Sequence, residues 1–196
     1  MVPAVGDFNG DGVDDLAIGR PGEAVVKVYY GSSTSKTLSG GLHLNATPQS
    51  WHQDSLGILG KTEAGDNFGT ALAAGDFNSD GFTDLAVGVP DEDLGAQFVS
   101  IPNAGAVHVI YGSSAGLTSS GNQFWHQNSP GILDMAETGD FFGAGLAVGD
   151  CNGDGRADLA VQVIERVGSP VPIPVQTTHV ILGAPTGLTA VGNQLW

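Results

Sequence analysis

Positive charge is scarce in this chain. Six Lys and Arg stand against 21 Asp and Glu in 196 residues, a formal net charge of −15. So acidic a surface repels phosphate backbones and anionic bilayers, which argues against nucleic acid or a charged membrane surface as a partner. Cysteine is scarcer still: Cys151 is the only one, so no intrachain disulfide forms. Long apolar runs are missing too. None reaches the ~20 residues of a membrane-spanning helix, and no transmembrane segment is expected. No signal-peptide pattern opens the chain, which starts directly in a strand-like run, as a piece trimmed from a longer secreted parent would. Amphipathic helical patterns are lacking as well. With Gly at 31 and Pro at 10, the chain reads as an all-β protein full of turns.

What is abundant is aspartate in one arrangement. In "GDFNGDGVDDLAIG", Gly6 to Gly19, oxygen-bearing side chains fall at Asp7, Asn9, Asp11 and Asp15, positions 1, 3, 5 and 9 of a turn. Gly12 stands at position 6, and the Val13 carbonyl is free at position 7. Crowded carboxylates repel one another, so this spacing calls for a cation among them. Calcium takes about six to eight hard oxygen ligands, and glycine permits the sharp bend. The match to an EF-hand ends at the glycine, because position 12 is Ile18 in a strand-like run, where an EF-hand needs Glu. The ion is therefore expected in a turn between two strands.

The turn recurs twice. Asp76, Asn78, Asp80, Phe82 (by its carbonyl) and Asp84 form the second set, and Asp150, Asn152, Asp154, Arg156 (by its carbonyl) and Asp158 the third. Three calcium sites are thus expected. Three bound Ca²⁺ would reduce the formal charge to about −9, and the calcium-free form should be the less stable one. Each turn is preceded by a small-residue strand, such as "TALAAG", and followed by "DLAIG", "DLAVG" or "DLAVQ". Two further strand-like segments complete each unit. Self-similarity on this scale marks a repeat architecture. The second strands are apolar on both faces, with Leu16, Ile18, Leu85, Val87, Leu159 and Val161 on one and Ala17, Ala86 and Ala160 on the other. Four-stranded antiparallel blades stacked around an axis, as in a β-propeller, satisfy this pattern.

"FGTALAAGDFNSDGFTDLAVGVP", Phe68 to Pro90, resembles the FG-GAP repeat of integrin alpha-subunit β-propellers and related bacterial surface proteins. Phe68-Gly69 and Phe142-Gly143 match the FG, and Gly88-Val89-Pro90 stands where GAP is usual; Gly19-Arg20-Pro21 and Gln162-Val163-Ile164 depart further. The resemblance implies blades over residues 1–53, 68–127 and 142–196, with calcium between the first and second strands and ligands on the opposite face. Three blades do not close a ring. Either two chains join as a homodimer to make six blades, or further blades belong to a longer parent chain, the homodimer being favoured here.

Other residues receive plainer readings. Trp51-His52-Gln53 and Trp125-His126-Gln127 are expected in outer-strand packing with the polar residue facing solvent, His108 and His179 as structural residues of third strands, Ser55 and Ser129 in turns, and Cys151 as a buried, inert thiol. Asp66 and Asp140 are expected to stabilise turns. Asp91, Glu92, Asp93, Glu63 and Glu137 fall in loops predicted to share one face. The segments "PDEDLGAQFVSIPNAG" and "IERVGSPVPIPVQT" read as loop insertions suited to recognition. No nucleophile elbow, phosphate loop or HExxH pattern is present, so a non-enzyme is expected. The overall expectation is a calcium-binding, extracellular or cell-surface module that binds a protein or glycan ligand on its long-loop face. The alternative is part of a polysaccharide- or phospholipid-acting enzyme.

Overall fold

The computed structural model describes residues 3–32, 47–96, 99–167 and 173–196. It contains three four-stranded antiparallel sheets and one two-stranded sheet. The first blade comprises β1 (Pro3–Gly6), β2 (Asp15–Arg20), β3 (Val25–Tyr29) and β4 (Gln49–Trp51) in that order. The second comprises β5 (Ala71–Gly75), β6 (Asp84–Val89), β9 (Ala106–Tyr111) and β10 (Thr118–Trp125), with the hairpin β7 (Leu94–Ala96) and β8 (Val99–Ile101) inserted between its middle strands. The third comprises β11 (Gly145–Gly149), β12 (Asp158–Val167), β13 (Ile173–Ala184) and β14 (Gly187–Leu195). Each is a plain meander, the blade of a β-propeller.

Register decides which residues meet the next blade. In the first two strands of each blade the pairs Gly6↔Asp15, Gly75↔Asp84 and Gly149↔Asp158 are equivalent. One face of blade 1 carries Ala4, Ala17, Val26 and Val28, and these pack with Leu72, Leu85, Val87 and Ile110 of blade 2 in one buried cluster. The forward face of blade 2, with Ala73, Ala86, Val107 and Val109, packs in the same way with Leu159, Val161 and Ile181 of blade 3. The core is therefore two interfaces between sheets, each filled by alternating residues. No blade has a core of its own, which is why the two middle strands of blade 2, β6 and β9, are buried on both faces along their whole length.

Three contacts recur at both junctions. First, the glycines of the FG corners approach the preceding blade's second strand backbone to backbone. A Cβ placed on Gly19 would lie 2.0 Å from the Gly69 carbonyl oxygen, and one on Gly88 would lie 2.2 Å from that of Gly143. Second, Phe8 and Phe77, at position 2 of the aspartate turns, are wholly buried between blades. Their carbonyls accept the amides of Ser113 and Ala184 of the next blade, at 3.2 and 3.1 Å. Third, a Tyr–Gln pair clasps the next blade's fourth-strand edge. The Leu117 amide donates to Tyr30 Oη (2.8 Å), the Tyr30 hydroxyl donates to Gln49 Oε1, and Gln49 Nε2 donates to the Leu117 carbonyl (2.9 Å). Tyr111, Gln123 and Leu188 repeat the arrangement. The tyrosine explains a glycine: at Gly116 and Gly187, both with positive φ, a Cβ would meet the hydroxyl at 2.2 and 2.0 Å.

Two expectations need correction. Cys151 is exposed. The aspartate-turn position that it occupies is buried in blades 1 and 2 only because the following blade covers it, and among the described residues nothing covers blade 3. The two presumed loop insertions are strand-forming. In blade 2 the inserted residues pair as β7 and β8, and in blade 3 they lengthen β12 and β13, paired as far as Val167↔Ile173. Residues 97–98 and 168–172 of those segments lie outside the described residues.

The glycine contact makes a quantitative prediction. Gly88→Ala should lower stability by about 1–3 kcal/mol, because the new methyl collides with a backbone carbonyl that cannot turn away. Gly149→Ala has no atom within 4 Å of the added Cβ and should change stability by less than about 0.5 kcal/mol. Urea midpoints of the two variants measure the difference.

Candidate functional site

Antiparallel topology sorts the connections to two ends of the stack. The aspartate turns join the first and second strands at one end. The connections from second to third strand, and from one blade to the next, lie at the other.

In the first turn, side-chain oxygens fold inward onto the loop's own amides. The Asp11 amide donates to both Asp7 Oδ1 (3.1 Å) and Asn9 Oδ1 (3.0 Å), the Gly12 amide to Asp7 Oδ2 (2.8 Å), and the Val13 amide to Asp11 Oδ1 (2.9 Å). Turns two and three repeat the pattern on Asp76, Asn78 and Asp80, and on Asp150, Asn152 and Asp154, with the Phe82 and Arg156 amides at position 7. Oxygens from positions 1 and 3 thus sit on either side of one amide, at the mouth of a turn whose bend is a positive-φ glycine (Gly12, Gly81, Gly155). Among the described residues, no three His, Cys, Asp or Glu side chains stand close enough together to cage a metal unaided. The donor set nevertheless fits calcium in kind, being oxygen throughout and including backbone and amide carbonyls, which such sites use beside carboxylates.

The ninth position does more than the spacing suggests. Asp15 Oδ2 accepts the Phe8 amide (2.9 Å) and Oδ1 the Gly31 amide (2.7 Å). Asp84 binds the Phe77 and Gly112 amides, and Asp158 those of Cys151 and Gly183. These carboxylates are buried and tie each turn to the end of its third strand. Each oxygen keeps a lone pair for a cation. Burial raises the Asp84 pKa to about 7, against the two amides that lower it, with Asp80 and Asp76 adding repulsion. Asp15 is raised chiefly by burial too, with Asp11 and Asp7 contributing. The glycines that complete the motif stand in "YYGSS", "IYGSS" and "ILGAP", a repeat visible in the sequence whose link to the aspartates only the fold reveals.

At the opposite end the structure gathers some of the predicted acids and separates others. Lys61, Glu63, Glu92, Asp93, Phe124 and His126 help line a cleft of about 520 Å³ beside the β7–β8 hairpin. Glu92 is only 6% exposed and accepts a hydrogen bond from Gln53 Nε2 at 2.5 Å. Asp91 lies apart, accepting from Asn67 Nδ2. Glu137 belongs to the equivalent place one blade on, where its amide donates to Asp140 just as the Glu63 amide donates to Asp66, both at 2.6 Å. Ser55 and Ser129 accept the His52 and His126 amides in matching turns. In the Trp-His-Gln segments Trp51 is buried, and so are Gln53 and Gln127, which corrects the expectation that the polar residues there face solvent, a detail hidden in the sequence because glutamine is ordinarily a surface residue. His108 and His179 are buried edge-on against Phe68 and Phe142 of the FG corners. Burial lowers the His108 pKa to about 3 and that of His179 in the same direction. Both are packing residues, and no metal-ligating group of side chains surrounds them among the described residues.

The junction glycines, the FG corners and the aspartate turns have a counterpart among known families. The family model of the FG-GAP repeat matches residues 2–35 and 68–110. The chain carries FG-GAP repeats. It is 34% identical over 169 residues to phosphatidylinositol-glycan-specific phospholipase D of Rattus norvegicus, an alignment covering 82% of this chain and 18% of that protein. It is 31% identical over 162 residues to the Dictyostelium discoideum protein of the same name, covering 78% and 16%. To integrin alpha-5 of Xenopus laevis it is 31% identical over 167 residues, covering 79% and 14%. The FG-GAP chain thus spans less than a fifth of these relatives.

Glu92 supplies the pH test of this end of the molecule. Burial first, then Asp66, raises its pKa to about 8 from 4.5. The folded state therefore holds a proton that the unfolded state releases between pH 4.5 and 8, so stability falls as pH rises through that window. Glu92→Gln should raise the melting temperature at pH 8 and leave it unchanged at pH 4. The difference should grow by at most about 1.4 kcal/mol per pH unit between. Parallel pH profiles for both proteins would contradict the assignment.

Proposed function

We propose that this FG-GAP chain is a calcium-stabilised binding module of an extracellular or cell-surface protein, similar in design to the integrin alpha propeller. One observation carries the reading: the same oxygen-rich turn, with the same amide pattern, closes the inner two strands of all three blades. Asp7, Asn9, Asp11, the Val13 carbonyl and Asp15 would hold the first ion, and their equivalents the other two. Bound calcium supplies positive charge to a turn whose carboxylates otherwise face one another, and so fixes the hairpin nearest the propeller axis. Millimolar extracellular calcium suits sites of modest affinity. A protein or glycan ligand would then meet the opposite end, where the β7–β8 hairpin rises beside the cleft of Glu63, Glu92 and Asp93.

Further FG-GAP blades are the partner that the backward face of blade 1 fits. Leu16 and Ile18 are half-buried there and Val5 is 55% exposed, while Leu85 and Val87, at the equivalent positions in blade 2, are wholly buried by blade 1. A second copy closing a three-plus-three homodimer is the competing arrangement, and it also requires the forward face of blade 3 to receive a blade.

The similarity to phosphatidylinositol-glycan-specific phospholipase D favours a second reading, in which the blades are the non-catalytic part of an enzyme acting on such lipids. Hydrolysis of a phosphatidylinositol-glycan by the chain itself, lost on Glu92→Gln and retained on Asp80→Ala, would replace the binding-module reading with a catalytic one.

Replacing Asp11, Asp80 and Asp154 together by Ala tests the calcium sites. Titration calorimetry of the parent protein should show three calcium ions bound, and the triple variant should show none. Saturating calcium at 100 times Kd should stabilise the parent by about 2.7 kcal/mol per site. An unchanged melting temperature on addition of EDTA to the parent would refute the structural role.

A further inference from the structure

The forward faces of blades 1 and 2 share the three junction contacts described above, and blade 3 departs from all three. Gln162 stands at the position of Gly19 and Gly88, as the pairs Ala71↔Gly88 and Gly145↔Gln162 show. Cys151 stands at the position of Phe8 and Phe77, and Leu182 at that of Tyr30 and Tyr111, each immediately before the glycine that binds the ninth-position aspartate. We propose that blade 3 is a terminal blade: its forward face does not receive another FG-GAP blade through the junction that the chain uses twice.

The glutamine decides the matter sterically. At Gly88 even a lone Cβ would lie 2.2 Å from the incoming FG glycine's carbonyl, and at Gly19 2.0 Å. Glutamine brings that Cβ and four more side-chain heavy atoms beyond it. Blade 3 is adapted to hold them. Gly145 replaces Ala71, and a Cβ at Gly145 would sit 2.6 Å from Gln162 Oε1, so the missing methyl is the space that the amide occupies. Such a paired change of neighbours is the mark of a face shaped for its own side chain.

The other two replacements remove attraction. Leu182 lacks the hydroxyl that takes the incoming Leu117 or Leu188 amide, and a junction formed without it would bury that amide unpaired. Cys151 is too small to fill the space that a phenylalanine ring fills at both internal junctions. Clash, lost hydrogen bond and lost packing coincide on one face of one blade, so the stack has a direction. Blade 1 keeps an apolar backward face for a neighbour, and blade 3 presents Ala147, Ala160, Gln162 and Leu182 at least partly to solvent.

Cys151, the chain's single cysteine, reports on this face. The experiment extends the full chain after Trp196 with a second copy of residues 126–196, in which the duplicate cysteine is replaced by Ser. The added blade then follows its natural connection, since Trp196 corresponds to Trp125. Maleimide labelling of Cys151 is followed in saturating calcium for the chain itself, for the extended chain, and for the extended chain with Gln162→Gly and Leu182→Tyr in the original blade 3. The proposal expects Cys151 of the extended chain to react within about threefold of the unextended rate, and the doubly substituted version to react at least about tenfold more slowly as the added blade docks and covers the thiol. Hydrogen exchange at the β6–β9 ladder checks that the first three blades are folded in every version. Strong protection of Cys151 in the unsubstituted extended chain would overturn the proposal. So would equal reactivity in all three versions, because restoring the two residues should then have restored docking.

Discussion

Backbone meeting backbone at the blade junctions is the constraint on which this structure rests. Blades this small bury too little apolar surface to fold singly, and here each sheet is buried only by its neighbours. The sheets come close enough to exclude water at the FG corner only where glycine faces glycine, at Gly19 with Gly69 and Gly88 with Gly143. The flanking phenylalanines and the Tyr–Gln clasps then have fixed partners. The junction sets the spacing, and the spacing sets which small side chains the inner strands can carry.

Within a blade the buried aspartate at the ninth turn position plays the corresponding part. A carboxylate buried beside other carboxylates is costly, and the protein offsets the cost with two amides for each of Asp15, Asp84 and Asp158. One residue thereby connects the turn between the first two strands to the end of the third. Calcium, in the proposed function, would act on a scaffold that this aspartate has already organised. Its effect would be to steady the exposed oxygens at positions 1, 3 and 5.

The opposite end shows why chemistry-bearing residues do not make a site by proximity in sequence. Asp91, Glu92 and Asp93 are consecutive, yet Glu92 turns inward to Gln53, Asp93 lines the cleft and accepts the Asn103 amide, and Asp91 turns to Asn67. Glu63 and Glu137, expected on one face, lie at successive junctions, and only Glu63 lines the cleft. A strand pattern places neighbouring side chains on alternate faces, but in a tight connection the direction of each depends on what the next blade supplies.

Local spacing was legible in the sequence by itself: three repeats, four strands in each, an oxygen-rich turn after the first, and two-sided apolar strands that demand neighbours on both faces. These follow from period-two alternation and from the geometry of a nine-residue turn, both encoded within a few residues. Only the tertiary structure decided the rest. Phe8 and Phe77 are buried while Cys151 at the same turn position is exposed, Gln53 is buried while His52 is not, and an acid in a surface-like run sits inside at Glu92. Each of those outcomes depends on a residue far away in the chain or on the next blade. Burial in a repeat protein belongs to the interface between units, and no single unit's sequence contains it.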